Sequence, residues 1–176
     1  MPTIISHAAI PLAAGLGIGE KYIPRKLILA GVIASMLPDA DVVLFRFGAR
    51  YDSDWAHRGF THSIGFAVIL TLLAGLLFRK TIPPAISAAF VGLSSVSHGL
   101  LDMLTNGGHG VAILWPVRQA RYFFDWRPIE VSPLAASRFL SRALLIARSE
   151  FLWIWVPAII VAVGLRALRH HQGANA

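Results

Sequence analysis

The chain has 176 residues, 56% of them hydrophobic and 14% charged, against roughly a quarter charged in an ordinary soluble domain, and this excludes a freely soluble globule. Sixteen Lys and Arg against nine Asp and Glu leave a formal charge of +7, without the basic run or basic and aromatic interleaving of a direct nucleic-acid reader, so the excess suits anionic lipid headgroups. With no cysteine, disulfides and thiolate ligands are excluded, and any transition-metal site must use His and carboxylates.

In chain order, apolar stretches without charge run over Ile4 to Gly19, Leu27 to Pro38, Ser63 to Phe78, Thr81 to Leu101 and Phe151 to Leu165. They predict an all-α polytopic membrane bundle of four to five helices, forming one integral membrane domain over residues 1–176. Only the fourth reaches the roughly 20 apolar residues that span a hydrocarbon core comfortably; the others call for local thinning or for snorkelling by Arg79, Lys80 and Arg166. The first stretch has no basic residue before it and is followed by Lys21, Arg25 and Lys26, so it reads as a retained helix, not a signal peptide. The positive-inside rule sends Glu20 to Lys26, Arg79 to Lys80 and the tail with Arg166 and Arg169 to the cytoplasm. Five spans then leave the N-terminus outside.

Residues 106–150 form a long connection at the membrane surface. Thr105-Asn106-Gly107-Gly108 is a turn signal, and Trp115, Tyr122, Phe123, Phe124 and Trp126 with Arg118, Arg121 and Arg127 resemble an interfacial belt. Ser132-Pro133 is an N-cap followed by Pro at the first helical position, and Leu134 to Glu150 then reads as a basic amphipathic interfacial helix. Arg138, Arg142 and Ser149 fall near one face, Leu140, Leu144 and Phe151 near another. Glu130, just before it, reads as a headgroup-level charge.

An ionisable group at membrane depth costs about 2.5 to 3.5 kcal/mol on insertion scales and calls for a partner or a function. His7 stands near the start of the first stretch, Asp39 and Asp41 end the second, His57 and His62 precede the third, and His98 and Asp102 end the fourth. With alternating helix directions all seven fall on one side of the membrane, which scattered structural polar residues would have no reason to do. His98 and Asp102, four apart, share one helix face and can ligate one ion, or simply bond each other. Asp39 and Asp41 diverge on a regular helix but can converge where Pro38 ends it. In His57-Arg58-Gly59-Phe60-Thr61-His62-Ser63 the imidazoles reach one centre if Gly59 permits a tight bend. Arg58 offers a fork for a phosphate or carboxylate, and Thr61 or Ser63 can cap the next helix. A mixture of imidazole and carboxylate suits one or two divalent ions, zinc foremost, with manganese or iron as alternatives. His109, in a flexible turn, and His170 and His171, in a polar tail, stand apart.

Early His7, Leu37-Pro38-Asp39-Ala40-Asp41, the His57 to Ser63 element, and His98-Gly99-Leu100-Leu101-Asp102 with Thr105 to Gly108 together resemble the YdjM/YbcI-like family. Its members are described as inner-membrane, metal-dependent hydrolases that bind LexA. The likeness runs from His7 to Pro116 and on through Pro128 to Pro133. It implies a bacterial inner-membrane protein with a metal site built from His7, Asp39, Asp41, His57, His62, His98 and Asp102, and a LexA-like regulator as partner. Hydrolysis of a phosphoester or lipid-linked substrate at the membrane surface is the expected chemistry, with Arg58 and Arg118 holding the substrate anion and His62 and Arg58 serving the reaction. The charge pattern puts this face outside the cytoplasm.

A non-enzymatic reading competes: a tether for a regulator, or a metal or proton conduit. A conduit needs ionisable groups along a path through the membrane, whereas the third helix has none between Ile64 and Leu77.

Overall fold

The computed structural model describes residues 1–48, 57–133 and 136–174. A 3₁₀ turn, Ile4–Ala8, runs into α1 (Ala9–Ile18). The helix α2 (Arg25–Met36) starts after Pro24 and continues as a 3₁₀ stretch, Leu37–Phe47. The change falls at Pro38, which lacks the N–H that would bond Ala34 and whose ring crowds that carbonyl. A second 3₁₀ turn, Phe60–His62, leads into α3 (Ile64–Leu77), capped by the Ser63 hydroxyl, which accepts from Phe66 N–H at 3.1 Å. The helix α4 (Pro84–Met103) opens on a proline whose missing N–H would be unpaired there anyway.

The last two helices differ from the expectation of a surface helix followed by a separate span. Helix α5 (Ala136–Glu150) passes without a break through a π-helical stretch, Phe151–Trp155, into α6 (Val156–Ala174). Pro157 accounts for the π stretch: it cannot bond the Trp153 carbonyl and would clash with it, and the wider turn, with Val156 N–H bonding Phe151 O, accommodates the ring. The continuous helix Ser137–His171 is 35 residues, about 52 Å long against a hydrocarbon core of about 30 Å.

Three helical runs are long and apolar enough to cross a membrane: Arg25–Leu44, Pro84–Met103 and Ser137–His171; Ile4–Ile18 and Ile64–Leu77 are shorter. Two more spans are therefore long enough than the apolar stretches indicated, because helix continues past the apolar residues into the Asp39 region and through Glu150. No strand occurs among the described residues; Thr105 with Ile129 and Val111 with Tyr122 form isolated bridges. A helical solution is what a bilayer demands, since every backbone group must be satisfied within the span.

Helix α4 is the hub. It packs on α2 and α3, while α1 packs on α6 and touches α2. Its buried residues include Ser87, Gly92, Ser94, Ser95 and Gly99, small side chains that let helices approach where lipid removes the usual hydrophobic drive for association. Outward faces carry exposed Leu29, Ile33, Leu72, Leu76, Leu93 and Ile160, the pattern of a lipid-facing surface. Ile23 and Ile82, from the α1–α2 and α3–α4 turns, share one core cluster, and Arg169 donates to Ile18 O at 3.1 Å. The basic turns and the basic tail thus lie at one end of the bundle, opposite the seven polar residues.

At that opposite end residues 104–133 fold over the helices. Phe124 N–H bonds Met103 O, Ala112 N–H bonds Arg58 O, Ile64 N–H bonds Ile113 O, and Ser132 N–H bonds Met1 O, at 2.8–3.1 Å.

Candidate metal centre

Four elements converge beneath this cover. The first 3₁₀ turn delivers His7, the 3₁₀ stretch after α2 delivers Asp39, the turn before α3 delivers His62, and the last turns of α4 deliver His98 and Asp102. His7, His98 and Asp102 have no exposure, and Asp39 and His62 almost none. His7 Nε2 stands 3.6 Å from Asp39 and 3.7 Å from Asp102; His62 Nε2 stands 3.6 and 3.5 Å from the same two carboxylates; His98 Nε2 stands 3.5 and 3.9 Å from them. The His7 and His98 rings stack with centroids 3.7 Å apart, and His62 meets His98 edge-on.

These separations are too long for hydrogen bonds. Both nitrogens of His7, both oxygens of Asp39 and of Asp102, and Nε2 of His62 and His98 have no hydrogen-bond partner. Asp102 Oδ2 has Arg58 Nε at 3.2 Å without a hydrogen-bond alignment. Eight buried polar atoms left bare would each cost about 1–3 kcal/mol, and a convergent set of imidazole and carboxylate donors suits a bound cation. Donors about 2.0–2.2 Å from a zinc-like ion lie about 3.3–3.6 Å apart in a tetrahedral shell, close to the spacing found. Asp39, His62, His98 and Asp102 could hold a metal ion, and so could the neighbouring trio Asp41, His57 and His62.

Two imidazoles are oriented from behind. His98 Nδ1 lies 2.7 Å from Ser35 O, which can only accept, so Nδ1 carries the proton and Nε2 offers its lone pair to the centre. His62 Nδ1 faces Asp41 at 3.3 Å and the Thr61 hydroxyl at 3.0 Å. Burial lowers the His62 pKa, but the neighbouring carboxylates of Asp39 and Asp41 raise it more, to about 9.

Asp41 and His57 sit one layer out, joined at 2.8 Å between Oδ1 and Nδ1. Thr61 donates to the other Asp41 oxygen at 2.7 Å. Asp39 and Asp41 thus diverge to opposite nitrogens of the same ring, His62, and do not share one point.

Arg58 is engaged differently from the expectation of a free anion fork. It is 1% exposed, with Nη1 donating to Gly107 O and His109 O, Nη2 to Thr105 Oγ1, and Nε facing Asp102. Four of its five N–H groups already face protein acceptors. It ties the turn after α4 to the centre. The tight bend also falls on Arg58, at φ +67°, and not on Gly59; the left-handed conformation costs about 1–2 kcal/mol, offset by the four contacts of the side chain. Arg118 is exposed and lines a surface groove with Ile64, Trp115 and Pro116, so it is not brought into the cluster. Glu130 pairs with Arg142 at 2.7 Å.

Three contributors escaped the sequence reading. Ser35 acts through its carbonyl, which no side-chain pattern announces. Thr61 serves Asp41, while Ser63 alone caps α3. Glu150 is 4% exposed and accepts from Thr3 N–H at 2.5 Å and from the Thr3 and Ser6 hydroxyls at 2.6 Å, holding the turn that bears His7. An acid entering an apolar run is the signal that could have found it.

The YdjM inner membrane protein family matches residues 1–173. The chain belongs to the YdjM inner membrane protein family. A curated relative, inner membrane protein YbcI of Escherichia coli (strain K12), is 44% identical over 164 residues, 92% of this chain and 95% of that protein. No solved structure matches significantly. All seven polar residues lie within the span matched to the YdjM family.

Proposed function

We propose that the chain is a membrane-embedded, metal-dependent hydrolase whose centre faces the non-cytoplasmic side of a bacterial inner membrane and acts on a phosphoester or lipid-linked substrate. The observation that carries the reading is the group of eight buried polar atoms without partners on His7, Asp39, His62, His98 and Asp102. A divalent ion there would supply Lewis-acid polarisation and a water acidic enough to act near neutral pH. The chain's own residues set the ligand orientation through Ser35 O and Asp41, and exclude bulk water through the 104–133 cover. The orientation rests on the basic turns and tail at the opposite end.

The test is elemental analysis of the protein purified in mild detergent beside a His98→Ala/Asp102→Ala variant, followed by a phosphoester and lipid hydrolysis screen. The reading expects near-stoichiometric zinc, manganese or iron that the variant lacks, and hydrolysis that falls at least a hundredfold in folded His98→Ala. Negligible metal in both after reconstitution, or unchanged turnover in His98→Ala, overturns it.

Complete burial of the ligands favours a second reading, since structural metal sites are closed and catalytic ones keep an open position. In that case the ion fixes a non-enzymatic membrane protein that tethers a regulator, LexA-like by family resemblance, at its cytoplasmic end. Stoichiometric metal with no hydrolysis of any screened ester, together with regulator binding lost on removal of the basic tail, would select it.

A further inference from the structure

The seven polar residues divide into two sets by a criterion independent of their positions in sequence. In the first set, His7, Asp39, His62 Nε2, His98 Nε2 and Asp102, the inward atoms have no hydrogen-bond partner. In the second, every atom that faces the centre is satisfied: Asp41 Oδ1 by His57 Nδ1 at 2.8 Å, and Asp41 Oδ2 by the Thr61 hydroxyl at 2.7 Å. A ligand waiting for an ion leaves its lone pairs unpaired, whereas a group that orients a ligand is already bonded.

The residue His62 makes the division sharper. It belongs to both groups of potential ligands, through Nε2 to Asp39 and Asp102 and through Nδ1 to Asp41. A neutral imidazole offers one lone pair, the other nitrogen carrying the proton. It can therefore ligate on one side only, unless it loses both protons and bridges two ions. Without His62 the outer group is reduced to Asp41 and His57, which are hydrogen-bonded to each other.

We propose that the centre holds a single ion on His7, Asp39, His62, His98 and Asp102, and that Asp41, backed by His57 and Thr61, is a positioning residue and not the ligand of a second ion. The Thr61 hydroxyl, which donates to Asp41 Oδ2, accepts the Nδ1 proton of His62 at 3.0 Å, with the Asp41 carboxylate 3.3 Å from the same nitrogen, and this relay aims Nε2 at the ion; His57 holds the carboxylate in place. Ser35 O does the same for His98, so two of the three imidazoles are set from behind. The inference rests on the metal reading above.

The test is zinc titration and elemental analysis of the full chain in detergent, with cobalt(II) as a spectroscopic stand-in, for the wild type, Asp41→Asn and His57→Gln. One equivalent in the wild type, one in each variant, a 10- to 100-fold weaker zinc Kd for Asp41→Asn and a cobalt spectrum of unchanged intensity are expected. Two equivalents in the wild type falling to one in Asp41→Asn would overturn the single-ion assignment while leaving the metal reading intact. Zinc affinity unchanged in Asp41→Asn would overturn the positioning role, and no metal in any form would overturn both. The wild-type stoichiometry decides the main point even if a variant fails to fold.

Discussion

His62 links the two layers of the centre, and its protonation follows from them. With its pKa raised to about 9, the ring carries a proton at neutral pH when no ion is bound. An ion at Nε2 must displace that proton. Because the folded pKa is raised, proton competition is strong below pH 9 and fades above it, so zinc affinity should climb about tenfold per pH unit between pH 6 and 8. Chelator competition at several pH values measures this, and a flat profile would contradict it. Glu150 carries a different prediction. Its carboxylate gathers three donors from the turn that bears His7, and truncation would remove the acceptor of Thr3 N–H and of the buried Ser6 hydroxyl. Glu150→Ala should cost about 3 kcal/mol or more, seen as a lowered thermal midpoint in detergent, with Glu150→Gln falling between it and the wild type. Equal midpoints for all three would show that the three bonds hold nothing.

Between elements, the approach of α4 to the turn before α3 sets the centre's dimensions. A Cβ on Gly99 would lie 2.6 Å from His62 O and 2.8 Å from Ile113 Cδ1, so Gly99→Ala must push the His62 turn away. Zinc binding should weaken at least tenfold with every ligand retained, measured by the same titration. Gly75→Ala is the control: its Cβ meets Ala88 at an ordinary 3.6 Å, and removing a helical glycine should stabilise by up to about 1 kcal/mol. Equal zinc affinity in the two would remove Gly99 from the account. The apolar runs located α1 to α4 because hydropathy marks membrane helices directly, and the one-sided placement of His7, Asp39, His62, His98 and Asp102 followed from counting helix reversals. The fusion of α5 with α6 was hidden because Glu150 looks like the end of a span when read by charge alone. The separate roles of Asp39 and Asp41 were hidden as well, since the 3₁₀ path after Pro38 decides which nitrogen of His62 each one meets. Arg58 misled for a related reason: its guanidinium is engaged by backbone carbonyls of a turn 49 to 51 residues away.

Across the whole molecule, the buried His and Asp cluster and the short basic turns with the basic tail lie at opposite ends. The absence of cysteine makes the proposed orientation directly measurable. In intact spheroplasts a membrane-impermeant maleimide should label Val117→Cys, 86% exposed at the centre's end, and leave Lys80→Cys unlabelled until the membrane is opened. The reverse pattern would turn the centre towards the cytoplasm.

Burial of the ligands also has a kinetic meaning. An atom with no exposed surface exchanges with nothing until the fold around it opens, so a chelator must wait for that movement however strongly it binds. A substrate arriving at the same atoms would wait for the same movement. The opening frequency is thus a ceiling shared by ion loss and turnover, and the half-life of bound zinc under excess chelator should become independent of chelator concentration at that limit.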